Sequence, residues 1–419
     1  MTQIGTGIYA GIYADWAATS PLHPAARASL LEWLDCPVPA NPSSLHAFGM
    51  AASDRLAAAR LSLAASFGWD GEITFTSGGT ESDGLAVHGL VQRFRGTDRR
   101  RIVLSPLEHP AVREAVYAFG PSAGFAVEEC AVRTDGAVDP VDFAARMGED
   151  LAFCAVMAVQ NETGVMQPVE DLAALAHGCG ALFLSDAVQA AGHTAIPVSA
   201  DVATVSAHKF GGPAGVGAVL HRGGLSPLLK GGGQERGRRG GTENVAGICA
   251  MAAAAAAVSE PDWMAGLRDE LEDAFLCRMR EAGVMVSVAG RQQYGGAEAH
   301  RHRIGSVSCF VFGGSGESVG LTGSGFPTGS GFPTDSGFPT GENLVLSCDM
   351  AGLALSSGSA CHSGTGAPSA ALLAMGYSPA EAVRSVRLSF GWGTDPEQMR
   401  RAYAILGDVV VKMVCPRNL

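Results

Sequence analysis

From about residue 71 to residue 220 the chain alternates short, β-rich apolar runs with longer Ala/Leu-rich segments. That is the pattern of strands joined by crossover helices. The candidate strands are GEITFTS (71–77), RIVLSP (101–106), LAFCAVMAV (151–159), ALFLSDA (181–187), VATVSAH (202–208) and GVGAVLHR (215–222). These runs are apolar almost throughout, which suits a mostly parallel sheet covered by helices on both faces. Ligands of such sheets bind beyond the carboxyl ends of the strands, so the polar residues that end each run are the first candidates for chemistry.

The 419 residues suffice for two or three domains at roughly 100 to 200 residues each. We expect a large α/β domain over 18–261. A smaller α+β domain is expected from 1–17 with 262–419, because the charged helical stretch WMAGLRDELEDAFLCRMREAG follows an Ala-rich helix around 249–258. Within it, residues 324–341 read SGFPTG, SGFPTD, SGFPTG, a period of six. Gly, Pro, Ser and Thr in that proportion bury too little surface to offset their ordering entropy, so a mobile surface insertion is expected.

Composition excludes several classes. With 47% hydrophobic and 17% charged residues, the chain is neither a low-complexity polymer nor a charge-rich disordered one. The 29 basic residues against 41 acidic ones give a net charge of −12, a poor match for nucleic acid or anionic membranes. The start lacks a basic n-region and a long apolar h-region, which reads as soluble and unprocessed. Ten cysteines without a C-x-x-C pair in a chain this large favour a reducing cytoplasm, with neither a disulfide framework nor an intrinsic metal site.

The most informative string is VATVSAHKFGG, in which Ser206, His208 and Lys209 close a candidate strand. LFLSDAVQAAGH places Asp186 and Gln189 at the end of another, and FTSGGTES places Gly79 and Thr80 at a strand-to-helix turn. Small residues at such a turn let backbone N–H groups approach an anion at a helix N-terminus. A phosphate cradle, a carboxylate and a lysine on neighbouring strand ends suit pyridoxal 5′-phosphate, whose aldehyde needs a lysine and whose ring nitrogen needs a carboxylate to stay protonated. Read without company, each is an ordinary polar strand end.

The strings DWAATSP, NPSSLHAFG, FTSGGTES, LEHPAV, NETGVMQPV, SDAVQAAG, SAHKFGGPAGVGAV, GGGQERGRRGGTEN, SSGSAC and RLSFG occur in that order between residues 9 and 403. Together they resemble the cysteine desulfurases of the NifS/IscS type, in the class V branch of the fold-type I pyridoxal-phosphate enzymes. The resemblance implies that Lys209 forms the Schiff base and shuttles protons, Asp186 pairs with the pyridine nitrogen, Gln189 bonds the phenolic oxygen, and His109 stacks on the ring. It implies that Gly79, Thr80, Ser206 and His208 hold the phosphate, and that Thr242 reaches the phosphate of the neighbouring subunit in a homodimer. Asn161, in the cofactor pocket, and Arg387 would take the substrate carboxylate, Arg387 by the bidentate fork that suits a planar anion.

Cys361, which ends SSGSAC, would take sulfur from L-cysteine as a persulfide, leaving L-alanine, and deliver it to an acceptor such as an iron–sulfur scaffold. Eight residues, HSGTGAPS, separate it from the next helical run, nearer the long-loop NifS/IscS group than the short-loop SufS group. Whether an iron–sulfur cluster transiently shares Cys361 stays open. So does the alternative of a selenocysteine lyase or another class V enzyme such as an aminotransferase, and that of an inactive sulfur-relay scaffold.

Trp16, Ser20, His362 and Trp392 depart from the usual pattern. At Trp16 we expect altered packing near the substrate mouth with the chemistry intact. His362 is a candidate for lowering the Cys361 thiol pKa, against its plainer reading as a solvent-facing loop residue. The arginines of GGGQERGRRGGT read as active-site or dimer-interface architecture, since no aromatic residues interleave them. Arg99 to Arg101 reads as a solvated charge run before a strand.

Overall fold

The computed structural model describes residues 11–291, 302–313, 338–358 and 367–414. Cys361, His362 and most of the hexapeptide repeat lie outside the described residues.

After β1 (Ile12–Tyr13), helices α1 (Pro24–Leu34) and α2 (Ala47–Phe67) lead to β2 (Glu72–Thr76) and α3 (Gly79–Phe94). The βα alternation continues with β3 (Arg101–Leu104), α4 (Pro110–Phe119), β4 (Ala126–Glu129), α5 (Pro140–Ala145), β5 (Leu151–Ala155), α6 (Val169–Gly178) and β6 (Leu182–Asp186). Strands β7 (Val202–Ser206) and β8 (Gly217–His221) precede α7 (Val245–Ala257). Helix boundaries follow local chemistry: α2 ends on Gly68 at φ 61°, in the left-handed region that glycine tolerates. Helix α4 begins with Pro110 directly after a capping His109.

Seven strands form one sheet in the order β2-β8-β7-β6-β5-β3-β4. Strands β4, β3, β5, β6 and β7 run parallel, and β8 is antiparallel to both its neighbours. All residues of β5, β7 and β8 are buried. Each Phe, Leu or Val they enclose contributes roughly 1.5–3 kcal/mol relative to an exposed position. The register brings two distant segments together, because Gly217 faces Thr76 on one side and Ser206 on the other. The end of β2, which starts α3, therefore lies beside the end of β7, which leads to Lys209.

Beyond α7 come α8 (Trp263–Glu281), β9 (Val286–Val288), β10 (Val307–Phe312), α9 (Gly341–Met350), β11 (Leu353–Ala354), β12 (Ser356–Ser357), α10 (Ala370–Ala374), α11 (Pro379–Ala382), β13 (Ser385–Ser389) and α12 (Pro396–Val414). A four-stranded antiparallel sheet has the order β12-β13-β10-β9, and β1 pairs in parallel with β11. A second hydrophobic cluster joins Ile12 and Ala14 to Phe275 of α8, Phe310 of β10, Leu388 of β13 and Leu406 of α12.

Four details differ from the expectations. Strand β4, sequence AVEE, is partly exposed at the sheet edge and so carries no apolar run to betray it. The run 151–159 stops being a strand at Ala155, and its last residues form the approach to Asn161. The final residues of the expected surface insertion belong to the fold: Phe338 stacks on Phe312 with centroids 5.5 Å apart, Thr340 caps α9, and Gly341 is buried in that helix. Finally, Arg99 and Arg101 are not merely solvated. Arg99 donates to the Leu151 and Cys179 carbonyls at 2.6 and 2.9 Å, and Arg101 forks onto Asp150 at 2.6 and 2.7 Å.

Candidate active site

At the end of β2 the chain turns through Gly78, at φ 153°, into α3, whose N-terminus no side chain caps. Its first-turn N–H groups and the aligned helix dipole favour an anion there. Ser206 flanks this terminus: a Cβ on Gly79 would lie 3.4 Å from Ser206 Cβ and 3.7 Å from its Oγ. That Oγ is buried and has no hydrogen-bond partner, an arrangement completed by a ligand acceptor. Thr80 occupies the same first turn. Glu81 turns away, accepting from Ser77 N at 2.8 Å and from the Arg239 fork at 2.8 and 3.1 Å. Arg238 pairs with Glu72, so these arginines brace the cradle rather than face outward as a basic patch.

His208 Nδ1 lies 3.1 Å from Thr19 Oγ1, and burial with the Lys209 charge pushes its pKa down to about 4. The ring is thus neutral near pH 7. Lys209 Nζ donates to the Ala17 and Ala18 carbonyls at 2.7 and 2.8 Å, and Gln189 Nε2 also reaches Ala17 O at 2.9 Å. These two carbonyls were not legible beforehand, since a backbone acceptor has no residue signature.

Asp186 ends β6 almost fully buried, with Oδ1 accepting from Val188 N at 2.8 Å. Burial raises its pKa, while His109 and Lys209 pull it back. Burial is also the main cause that lowers His109, with Asp186 opposing and Lys209 assisting. His109 Nδ1 accepts from Ala111 N at 3.1 Å, which leaves the proton of the neutral ring on Nε2. Two acids that sequence reasoning missed surround this group. Asp83 accepts from Thr204 Oγ1 at 2.6 Å and Glu108 from Met157 N at 2.6 Å, and burial raises both well above the ordinary carboxyl range.

Arg387 lies on β13, opposite Cys309 of β10 and Ser356 of β12. One terminal nitrogen donates to the Asn161 carbonyl at 2.8 Å and the other to Asp15 Oδ1 at 2.9 Å, while its buried Nε has no partner. Asp15 is oriented by Ser356 Oγ at 2.7 Å. Asn161 therefore meets Arg387 through its backbone; its side-chain oxygen accepts from Gln160 at 3.3 Å. Ser389 Oγ accepts from Ala17 N at 2.9 Å, so the DWAAT segment links Arg387 to the Lys209 amine. The structure thus gathers Gly79, Thr80, His109, Asp186, Gln189, Ser206, His208 and Lys209 at the strand ends, and sets Arg387 and Asn161 at the far end of that segment. Thr242 stands apart on an exposed stretch before α7, and Cys361 lies outside the described residues.

Trp16 and Trp392, the two aromatic departures, pack on each other edge to face at 5.5 Å, and His23 meets Trp392 at 4.4 Å. Trp16 is buried, with Nε1 donating to Tyr13 O at 3.1 Å.

The family model for class-V aminotransferases matches residues 12–314. The chain is 36% identical over 408 residues to a cysteine desulfurase of Cereibacter sphaeroides, with 95% of each chain covered. To the cysteine desulfurase IscS of Dictyoglomus turgidum it is 32% identical over 409 residues, covering 96% of this chain and 95% of the other. A solved NifS-like protein superposes with a TM-score of 0.78 at 26% identity, covering 95% of this chain and 99% of that one. A lysine and a buried aspartate on adjacent strand ends, beside an open helix N-terminus, sit within that match, and the chain belongs to the class-V aminotransferase family, among its cysteine desulfurases.

Proposed function

We propose that the chain converts L-cysteine to L-alanine and takes the sulfur onto Cys361 as a persulfide. The family implies pyridoxal phosphate, and the residues present suit it: the unpartnered Ser206 hydroxyl beside the α3 N-terminus matches its phosphate, and Asp186 its ring nitrogen. When bound, the cofactor supplies an electron sink that makes the substrate Cα–H acidic and weakens its Cβ–S bond. The observation that carries the reading is the convergence of Lys209, Asp186 and His109 next to that cradle.

In this reading Gly79, Thr80, Ser206 and His208 would hold the phosphate, Gln189 would bond the phenolic oxygen and His109 would pack on the ring. Lys209 would hold the cofactor through its amine, and that amine, when free, would accept the substrate Cα proton from its place beside the Ala17 and Ala18 carbonyls. Asp186 would pair with the ring nitrogen, whose positive charge would offset the burial that otherwise disfavours its ionised form. Arg387, with Asn161, receives the substrate carboxylate, and the unpartnered Nε supports that role. Cys361 attacks the substrate sulfur as a thiolate. The S–S bond forms as the C–S bond breaks, and alanine leaves once Cβ and Cα have each gained a proton.

Leu45, Phe48, Met50 and Leu61, on α2 and just before it, are exposed apolar residues that support a homodimer, in which Thr242 would complete the partner's phosphate site. We take 18–261 as the large domain and 1–17 with 262–419 as the small one. The cytoplasm is the proposed location, and an iron–sulfur scaffold or another thiol carrier the proposed acceptor. Among the described residues no helix is long and apolar enough to cross a membrane.

The test measures alanine and sulfide released from L-cysteine with a reductant present, for the yellow holoenzyme and its Cys361→Ala variant. Products from the first alone support desulfuration through Cys361. Silence from both in a yellow protein overturns the substrate assignment.

A further inference from the structure

Glu162 follows Asn161 in a loop whose backbone is pinned, since Gln160 Oε1 accepts from both Glu162 N and Thr163 N at 2.7 and 2.8 Å. Its carboxyl is held by one hydrogen bond and lies in the field of a neighbouring strand. Oε2 accepts a hydrogen bond from Ser369, the N-cap residue of α10, and the Arg387 guanidinium on β13 acts on the same group. On β10, burial and then the charge of Glu162 push the buried Cys309 thiol up to about 12, so that this thiol stays neutral. The other charge at hand is Asp15, already ion-paired with Arg387.

These groups pose a charge problem. Among the described residues, the Arg387 guanidinium stands with two carboxyl groups, Asp15 and Glu162. A docking substrate carboxylate makes three anions around one cation in a poorly hydrated place, where like charges disfavour ionisation. We infer that Glu162 is a positioning residue that gains a proton as the substrate carboxylate docks on Arg387 and loses it as the product leaves. The inference rests on the reading of Arg387 as the carboxylate site. Glu162 is suited to the exchange, because burial raises its pKa to about 7 against the opposing pull of Ser369 and Arg387. Asp15 is instead fixed by Ser356 and Arg387.

The sign follows from linkage. Protonated Glu162 admits the anion freely, whereas ionised Glu162 must first acquire a proton, so affinity falls as pH rises through about 7. The probe is propionate, which carries the carboxylate but no amine and no thiol, and so cannot react with the cofactor aldehyde. Calorimetric titration of the holoenzyme should show its Kd rising about tenfold from pH 6 to pH 8, as one linked proton requires. Glu162→Gln, whose amide oxygen still accepts from Ser369, should bind with a Kd constant within about twofold over that range. Every other ionisable group is common to both proteins, so its contribution cancels in the comparison.

Ser369→Ala removes a hydrogen bond that favours the ionised form, so the fall in affinity should move to higher pH. A flat wild-type profile, or a Glu162→Gln profile as steep as the wild type, overturns the inference while leaving the Arg387 reading intact. Arg387→Gln tests that reading separately and should abolish propionate binding at every pH. Wild-type affinity in Arg387→Gln would place the carboxylate elsewhere and take the inference down with it.

Discussion

Glu108 illustrates how burial alone sets the state of an acid. It accepts one hydrogen bond, from Met157 N, while its second oxygen is buried without a partner. Its folded pKa is raised well above 4.5, chiefly by burial and then by Asp186. The folded state therefore binds a proton that the unfolded chain releases above about 4.5, so the contribution of Glu108 to stability is fully present below that pH and is lost as pH rises. Glu108→Gln keeps the shape and the acceptor but cannot ionise. Urea unfolding should find this variant more stable than the wild type at pH 8, with the difference shrinking toward pH 5 by up to about 1.4 kcal/mol per unit. Equal pH profiles for the two proteins would mean that Glu108 is ionised in the fold. Lys209, Asp186 and His109 were legible in the sequence because each follows an apolar run, where an α/β sheet presents its chemistry. Asp83, Glu108 and Glu162 were not, because their altered acidity comes from packing between segments far apart in the chain.

At the scale of elements, the cradle depends on how closely β8 approaches the turn into α3. A Cβ on Gly217 would lie 2.6 Å from the Gly78 carbonyl carbon, against backbone that cannot swing aside, whereas a Cβ on Gly79 would meet Ser206 and Val188 at ordinary contact distances of 3.4 and 3.5 Å. Gly217→Ala should therefore displace the α3 N-terminus, costing about 1–3 kcal/mol in stability and lowering the visible absorbance of the purified enzyme. Gly79→Ala should cost little stability. Loss of colour in both variants would shift the explanation from backbone clash to pocket volume. The two tryptophans give a second test. Trp16→Ala should cost about 3–5 kcal/mol, and a double-mutant cycle with Trp392→Ala should return a coupling of about 0.5–1.5 kcal/mol for their edge-to-face contact. Six strands were readable from their apolar runs, but the adjacency of β2 and β7 was not. It is created by β8 inserting antiparallel between them, a pairing that no local pattern encodes.

At the scale of the whole molecule, one chain presents every proposed contact of the phosphate except Thr242, which lies exposed on the stretch before α7. A two-fold assembly would resolve this, because an isologous interface gives each subunit the same loan from its partner. The exposed apolar residues Leu34, Leu45, Phe48 and Leu61 on α1, α2 and their connection supply surface for it. Mixing two defective proteins tests whether the site is shared. Lys209→Ala removes the proposed cofactor-binding amine, and Thr242→Ala the hydroxyl proposed to reach the partner's site. In a heterodimer, one site receives both defects and the other receives neither. After the two are unfolded together and refolded with limiting cofactor, half of the dimers are mixed. About one quarter of all sites is then intact, and turnover should rise above the mean of the parents toward that fraction of wild type. If Thr242 served its own chain, each heterodimer would carry one site of each parental kind, and the mixture would show only the parental mean.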